Sequence, residues 1–267
     1  MPHRHQYRHR YVSASRVVLN IIVRPVSWTV LLFFTAAFAL PLGAPLGAAE
    51  PKPAVEKTDN KKIPPRKKDP YAWKSLFDGK TLKGWKPGKF GGEGEVRVKK
   101  GSIFLDCGES LTGIVFTGKP PRMNYEISLE GRRLDGSDFF ATTTFPIGKS
   151  YCSLVVGGWG GTVVGLSNVD FYDAGDNITT RFVDLKTKQW YRVRIRVSKA
   201  RIEAWIDDEQ VVDLPTEGHK FGVRFEVDLC KPLGIASWCS SAELRKIRIR
   251  NLKPKEVAEA AKKRDDE

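Results

Sequence analysis

Carboxylates and carboxamides crowd one short stretch of this chain, Asn168–Arg181 (NVDFYDAGDNITTR), where Asp170, Asp173, Asp176 and Asn177 surround Gly175. Oxygen donors at this density are what a hard divalent cation takes, so the stretch reads as a cation-binding or substrate loop. The D-x-D-x-D-G order of an EF-hand is missing and the acids recur at a spacing of three, which leaves a solvated Asp/Asn turn cluster as the other reading. A second set lies in Phe221–Leu229 (FGVRFEVDL), where Gly222, Arg224, Glu226 and Asp228 alternate with apolar residues. A carboxylate within hydrogen-bond reach of a substrate proton can act as a general base. Glu226, Asp228 and Asp170 are the candidates for that role, and Arg224, Asp173, Asp176 and Asn177 are candidate ligand-binding groups.

Trp159 stands between glycines in GGWGG (157–161), which leaves room for a ligand or another strand to approach closely. An indole there is either a platform for the apolar C–H face of a sugar ring or a core residue on a bulged strand. Tyr172 and Trp238 are supporting aromatics. Gly157-Gly158-x-Gly160 is not a dinucleotide site, because no helix follows to receive a phosphate. The histidines exclude more than they offer. Of four, three fall in the first nine residues, so a three-histidine zinc site and an H-E-x-x-H motif are ruled out. His219 remains, in a Gly-His-Lys turn, as an exposed spectator or a catalyst.

These groups must be positioned by strands. Residues 71–252 read as one strand after another, bounded by Gly, Pro, Asp and Asn clusters. Gly101–Asp106, Gly113–Thr117 and Tyr125–Glu130 come first, the last with Tyr125, Ile127 and Leu129 on one face. In Trp190–Val197 the period of two places Tyr191, Val193, Ile195 and Val197 inward and Arg192, Arg194 and Arg196 outward. That arginine stripe is a polyanion site or, as the simpler reading, a partner for Glu on adjacent strands. Arg201–Asp207 follows a tight connection, with Glu203 available to pair with an arginine across the hairpin. Phe221–Leu229 reads as a strand with Phe221, Val223, Phe225, Val227 and Leu229 inward, and Leu244–Leu252 closes the set. So many short strands with no helix between them predict an all-β antiparallel sandwich.

Outside that domain, residues 1–49 combine a basic start, the 13-residue apolar run Trp28–Leu40, and Pro41 with small residues after it. This is the pattern of a cleaved secretory signal, with an uncleaved anchor as the alternative; the run is short of the ~20 residues a spanning helix needs. The remainder is then expected to work in the periplasm or outside the cell. Residues 50–70 hold five Pro and eleven charged residues and read as a disordered spacer, and 253–267 as a charged tail with a short helix over Lys255–Lys263. The formal charge is +14, but residues 71–252 carry 28 Lys and Arg against 22 Asp and Glu. No strongly basic domain remains, which removes the main support for nucleic acid as a partner. Association of the basic spacer with anionic cell-envelope polymers stays open. An exported context permits disulfides among Cys107, Cys152, Cys230 and Cys239, with free buried thiols the alternative.

Ser75–Trp85 (SLFDGKTLKGW) resembles the opening signature of the bacterial 3-keto-disaccharide hydrolase domains, also described as 3-keto-glucoside lyase/hydratase domains. Trp190–Leu214 is similar to that family's central hairpin, with a reverse turn at Asp207–Glu209, and Pro232–Leu252 to its closing strands. The resemblance covers essentially all of 71–252 and implies a concanavalin A-like jelly roll acting on or recognising glycosides. It implies elimination chemistry, with a base beside the ketone of a 3-keto sugar and a cation or oxyanion hole for the enolate. A divalent cation is the one cofactor the acidic loop would suit, and a non-catalytic carbohydrate-binding module is the alternative role. The family's enzymes typically carry an Asn-Ser-Gly segment, a Glu-x-Gln strand and a late Gln-Asp-His-Gly-like segment. The corresponding stretches here are Ser137–Phe145, Ser153–Gly161 and Gly234–Trp238. Those motifs are not present in them, so no catalytic residue is carried over.

Overall fold

The computed structural model describes residues 69–265. The leader of residues 1–49 and the spacer up to residue 68 lie outside the described residues. In chain order the strands are β1 (Lys74–Ser75), β2 (Trp85–Pro87), β3 (Val96–Lys99), β4 (Ser102–Leu105), β5 (Leu111–Phe116), β6 (Tyr125–Gly136), β7 (Thr142–Ile147) and β8 (Ser150–Gly158). They continue as β9 (Val163–Ser167), β10 (Arg181–Phe182), β11 (Tyr191–Val197), β12 (Arg201–Ile206), β13 (Glu209–Pro215), β14 (Gly234–Trp238) and β15 (Ser240–Asn251), followed by helix α1 (Pro254–Asp265). One sheet runs β13-β12-β11-β6-β15-β4-β3, with β1 also on β15; the other runs β10-β9-β8-β7-β14-β5-β2. All pairings are antiparallel, and the two sheets make the expected jelly-roll sandwich.

Period-two patterning builds the core. Ile127 and Leu129 of β6, Val193, Ile195 and Val197 of β11, and Ile202 and Ala204 of β12 face Phe145, Leu154, Val156, Val164, Leu166 and Ile235 of the other sheet. Each fully buried aliphatic or aromatic side chain contributes roughly 1.5–3 kcal/mol. Trp85 closes one end, as its place in the opening signature suggests: its indole N–H donates to the Leu76 carbonyl at 2.7 Å and its ring lies 5.3 Å from Phe116. In the turn before it, Asp78 accepts from the amides of Lys80 and Thr81 at 2.8 and 2.7 Å, which holds its carboxyl down at about 2.

The outward face of the first sheet is covered by paired charges and tryptophans, with a groove left open among Asp69, Arg192, Arg194 and Arg248. The arginine stripe finds its acids there, as the simpler reading expected: Arg194 reaches Glu126 at 3.2 Å and Arg196 reaches Glu203 at 3.5 Å. Tryptophans interleave with these cations. Trp205 lies under Arg194 and Arg196, Trp190 under Arg132 and Arg245, and Trp73 under Arg248 and Arg250, all within 5.2 Å of the ring centre. Glu126 is 1% exposed and is shared by Arg194, Arg196 and Arg250. Helix α1 docks onto this layer through Glu256 on Arg250 and through Lys263, which reaches Glu203 at 3.1 Å.

One element departs from expectation. Phe221–Leu229 is not a strand; residues Phe225–Cys230 form a 3₁₀ helix in which Val227 and Cys230, three apart, are buried, while Phe225 is 84% exposed and Leu229 also stands out. The segment crosses the outer face of the second sheet with no ladder partner beyond an isolated bridge at Phe221. Gly222 exchanges backbone hydrogen bonds with Asn168 at 3.1 and 2.7 Å, and the 3₁₀ helix beyond it is satisfied locally, Val227 N–H to Arg224 and Lys231 N–H to Asp228, both at 3.2 Å. The four cysteines are free. Cys152 points into the sandwich core and Cys230 packs on the opposite side of the same sheet, and burial pushes each thiol up to about 12.

Two outcomes follow from the covered face. Truncating Glu126 to Ala takes the acid from Arg194 and one acid each from the partly buried Arg196 and Arg250, and should lower the unfolding free energy in urea by about 1–3 kcal/mol. Hydrogen bonds from Arg250 hold the Glu256 carboxyl at about 2, below its ordinary 4.5. A depressed folded value stabilises above the unfolded one, so the Glu256 contribution should be complete above pH 4.5 and fade as pH falls toward 2. Thermal unfolding of wild type and Glu256→Gln should therefore differ at neutral pH and converge in acid.

Candidate functional site

Small side chains occupy the outer face of the second sheet: Thr142 and Thr144 on β7, Ser153 and Val155 on β8, Ser167 on β9 and Ala236 on β14. Their ladder partners fix that orientation, since Thr144 pairs with Ser153 and Ser153 with Ser167, while Leu154 and Phe145 beside them point into the core. The Thr144 and Ser153 hydroxyls hydrogen-bond at 2.8 Å. Two segments cross this floor. Residues 168–180 seat Ala174 on Val155 and Val163, and the 3₁₀ helix seats Val227 and Cys230 on Leu111 and Ala236.

Between them lies a cleft of about 190 Å³, lined by Asp138, Phe139, Thr142, Ser153, Val155, Trp159, Ser167, Arg224, Glu226, Val227 and Trp238. Arg224 ties its walls together. One terminal nitrogen donates to Asp173 Oδ2 at 2.6 Å, and Nε and the other terminal nitrogen grip Glu226 at 3.1 and 2.8 Å. These bonds from Arg224 hold the Glu226 carboxyl below its ordinary value, against the opposing effect of partial burial, and raise the guanidinium. Trp159 stands at one end with φ +48, 47% exposed, its ring centre 5.9 Å from the Arg224 guanidinium carbon. Phe139 and Trp238 meet at 6.3 Å. The Asp138 carboxylate accepts the Phe139 amide at 2.8 Å and, through its other oxygen, the Gly160 amide at 3.4 Å. No Lys, Arg or His among the described residues forms an ion pair with Asp138.

A family model described as the 3-keto-alpha-glucoside-1,2-lyase-like domain matches residues 72–250. The chain belongs to this family. No curated protein matches it in sequence. Solved structures similar to this lyase-like domain include the Crh5 transglycosylase in complex with NAG, at 14% identity over 70% of this chain and 86% of the other, with a TM-score of 0.49. Carbohydrate-binding module CBM66 from Bacillus subtilis is similar at 12% over 63% and 96%, TM-score 0.42. Bacillus licheniformis beta-glucanase is similar at 10% over 69% and 99%, TM-score 0.47.

Of the candidate residues in this lyase-like domain, Trp159, Trp238, Arg224 and Glu226 line the cleft, Asp173 holds Arg224 from the facing wall, and Tyr172 stands exposed outside the lining. Trp159 is not a core residue: β8 is bulged between Val156 and Gly158, but the indole stands beyond the bulge, half exposed. The shared polar face of Arg224, Glu226 and Asp228 does not exist, because the strand that would have made it is a 3₁₀ helix. Asp228 is exposed and paired with Lys231. Asp170 does not line the cleft. It accepts from the Lys220 amide at 2.8 Å and meets His219 Nδ1 at 2.6 Å, and these bonds hold its carboxyl low; His219 is thereby a paired, largely covered side chain.

Asn177 works as the brace of the acidic loop. Its amide nitrogen donates to the carbonyls of Leu166 at 2.8 Å and Asp173 at 2.6 Å, and its oxygen accepts from Thr179. Asp176 is exposed, and among the described residues no group of three or more His, Cys, Asp or Glu converges as a metal would require.

Sequence reasoning missed Asp138, Phe139, Thr142, Ser153, Val155, Ser167 and Val227. A signal for most of them existed. The three stretches that the resemblance sets against the family's catalytic segments, Ser137–Phe145, Ser153–Gly161 and Gly234–Trp238, supply Asp138, Phe139, Thr142, Ser153, Val155, Trp159 and Trp238 of the lining. Replacing Asn177 by Ala should cost about 1–3 kcal/mol through the carbonyls it leaves unpaired. Urea unfolding measures that loss, and faster amide exchange confined to 168–180 would place it in this loop.

Proposed function

We propose that this domain binds a glycoside in the cleft and cleaves a 3-keto glycoside by elimination. The observation that carries this reading is the cleft itself, whose lining combines an arginine positioned by two acids, a carboxylate without an ion-pair partner among the described residues, and aromatic side chains. Trp159 and Trp238 offer faces to the apolar C–H patches of sugar rings, and the Thr142, Ser153 and Ser167 hydroxyls are there to meet sugar hydroxyls.

In this reading Asp138 is the general base, since Glu226 and Asp173 are engaged with Arg224. Asp138 takes the proton from the carbon beside the ketone, and the C–H electron pair becomes the carbon–carbon double bond of an enolate. Arg224 meets the negative charge that gathers on the ketone oxygen; Glu226 and Asp173 are its positioning residues. The enolate then expels the glycosidic oxygen from the neighbouring carbon, and that oxygen takes the proton Asp138 has gained. The products are a free alcohol and an unsaturated 3-keto sugar. Export through the Trp28–Leu40 leader would place this chemistry outside the cytoplasm.

A carbohydrate-binding role without turnover is the second reading. The observation in its favour is that two of the three carboxylates around the cleft are committed to one guanidinium.

Methyl 3-keto-α-glucoside, followed by the absorbance of the conjugated product with and without divalent cation, separates the two. Asp138→Asn should lower turnover by about 10²–10⁴-fold with binding kept, and Trp159→Ala should weaken binding. Turnover unchanged in Asp138→Asn would remove that residue from the chemistry, and binding without turnover in the wild type would favour the module.

A further inference from the structure

Large hydrophobic side chains that stand exposed are confined, among the described residues, to the two segments walling the cleft and the strand beside them. Besides Trp159 they are Phe171, Tyr172, Ile178, Phe182, Phe225 and Leu229. Single exposed apolar residues need no account, but a set gathered around one opening marks an interaction surface.

Their placement continues the cleft. In a 3₁₀ helix residues three apart share a ridge, so Leu229 extends the ridge of Glu226, and Phe225 sits between the lining residues Arg224 and Glu226. On the facing wall Tyr172 adjoins Asp173, the partner of Arg224. Phe182 of β10 is the ladder partner of Val163 on β9, whose side chain packs with Val155 on the cleft side of the sheet. Phe171 is 79% exposed and has φ +75, with Asp170 before it at φ +51. Consecutive left-handed residues without glycine are uncommon and are kept where surrounding structure imposes them. Here they are imposed by the pairing of Asp170 with His219 and Lys220, and they hold Phe171 and Tyr172 out into solvent.

Resting on the glycoside reading of the cleft, we infer that this apolar rim receives the other end of the glycoside, an apolar aglycone joined to the sugar. Phenylalanine, leucine and isoleucine side chains offer no hydrogen bonds, so a second sugar laid on them would strand its hydroxyls. An aliphatic or aromatic group would bury against them at no such cost. The sugar is then read by the polar floor and Arg224, and the leaving group by the rim.

Calorimetric binding of methyl and octyl 3-keto-α-glucoside, the latter below its micelle concentration, tests this on the whole protein. The octyl compound should bind roughly tenfold or more tightly, from the extra methylenes buried. The double variant Phe171→Ser/Phe225→Ser should lose that advantage and bind the methyl compound as the wild type does; both positions are exposed, and an unchanged near-UV spectrum confirms the fold. Equal affinity for the two compounds in the wild type, or an advantage that survives in the variant, overturns the inference while leaving the sugar cleft standing. Equal affinity together with co-sedimentation of the wild type, but not the variant, with phosphatidylcholine vesicles assigns the rim to a membrane. Failure to bind either compound overturns the cleft reading and this inference with it.

Discussion

The carboxylate of Glu126 is the constraint on which the rest of the molecule leans. It is buried on the central strand β6, and its ladder partners on both sides are arginines, Arg196 on β11 and Arg250 on β15. A charge removed from water costs several kcal/mol unless a partner compensates it. A slip of one residue in either neighbour would turn those arginines to the core face and leave Glu126 alone. Hydrophobic alternation fixes which face is inward, and Glu126 fixes the register of three adjacent strands at once. The tryptophans and helix α1 then roof the pair, which keeps solvent from screening it.

Long paired side chains fill most of one outer face and leave a groove among Trp73, Arg192, Arg194 and Arg248, while the small side chains of the other make the floor of the cleft. The second sheet presents Thr, Ser, Ala and Val outward where the first presents Arg, Glu and Trp, and small residues leave depth above the sheet. Segments that cross such a floor need little sequence to hold them. Ala174, Val227 and Cys230 each dock through one or two floor residues, and Asn177 and Arg224 supply the polar ties. The walls are accordingly the parts whose conformation depends most on single side chains. They also carry Arg224 and Glu226, which line the cleft, and Asp173, which holds Arg224.

This division explains what could be read from the amino-acid order. Tyr191–Val197 was legible because one face is core and the other charged, so the period of two is visible in residue type. The opening turn was legible for a similar reason, since Asp78, Gly79 and Gly84 are demanded by local backbone geometry. Phe221–Leu229 shows the limit. Its apolar residues also alternate, but Phe225 and Leu229 are exposed beside the cleft, and the buried pair is Val227 and Cys230 at a spacing of three. Periodicity reports burial only where apolar residues are there to be buried, and these two are not. Asp138 was hidden for the opposite reason: it sits among Phe139, Phe140 and a run of threonines that reads as core strand. Its position in the cleft depends on the Gly160 turn and on Ser240 of a distant strand, whose hydroxyl accepts the Asp138 amide at 3.0 Å.

The ion pairs of Arg224 bear on whether the cleft can act at all, because they decide what an arginine held by two acids has left for a ligand. A guanidinium carries five N–H donors. One is used on Asp173 and two on Glu226, which leaves two, both on the terminal nitrogens. Charge gives the same answer by another route. Arg224 with its two acids carries a net negative charge, and Asp138 adds to it, so the cleft does not attract an anion at rest. In the elimination proposed above, an uncharged ketone would enter without that penalty. As its oxygen gained charge, the two free N–H groups would meet it through hydrogen bonds of a kind that strengthen as that charge develops. Acids placed on either side of the guanidinium therefore fix its plane and leave its free donors fixed in direction, which is the arrangement a transient oxyanion requires and a resident anion does not.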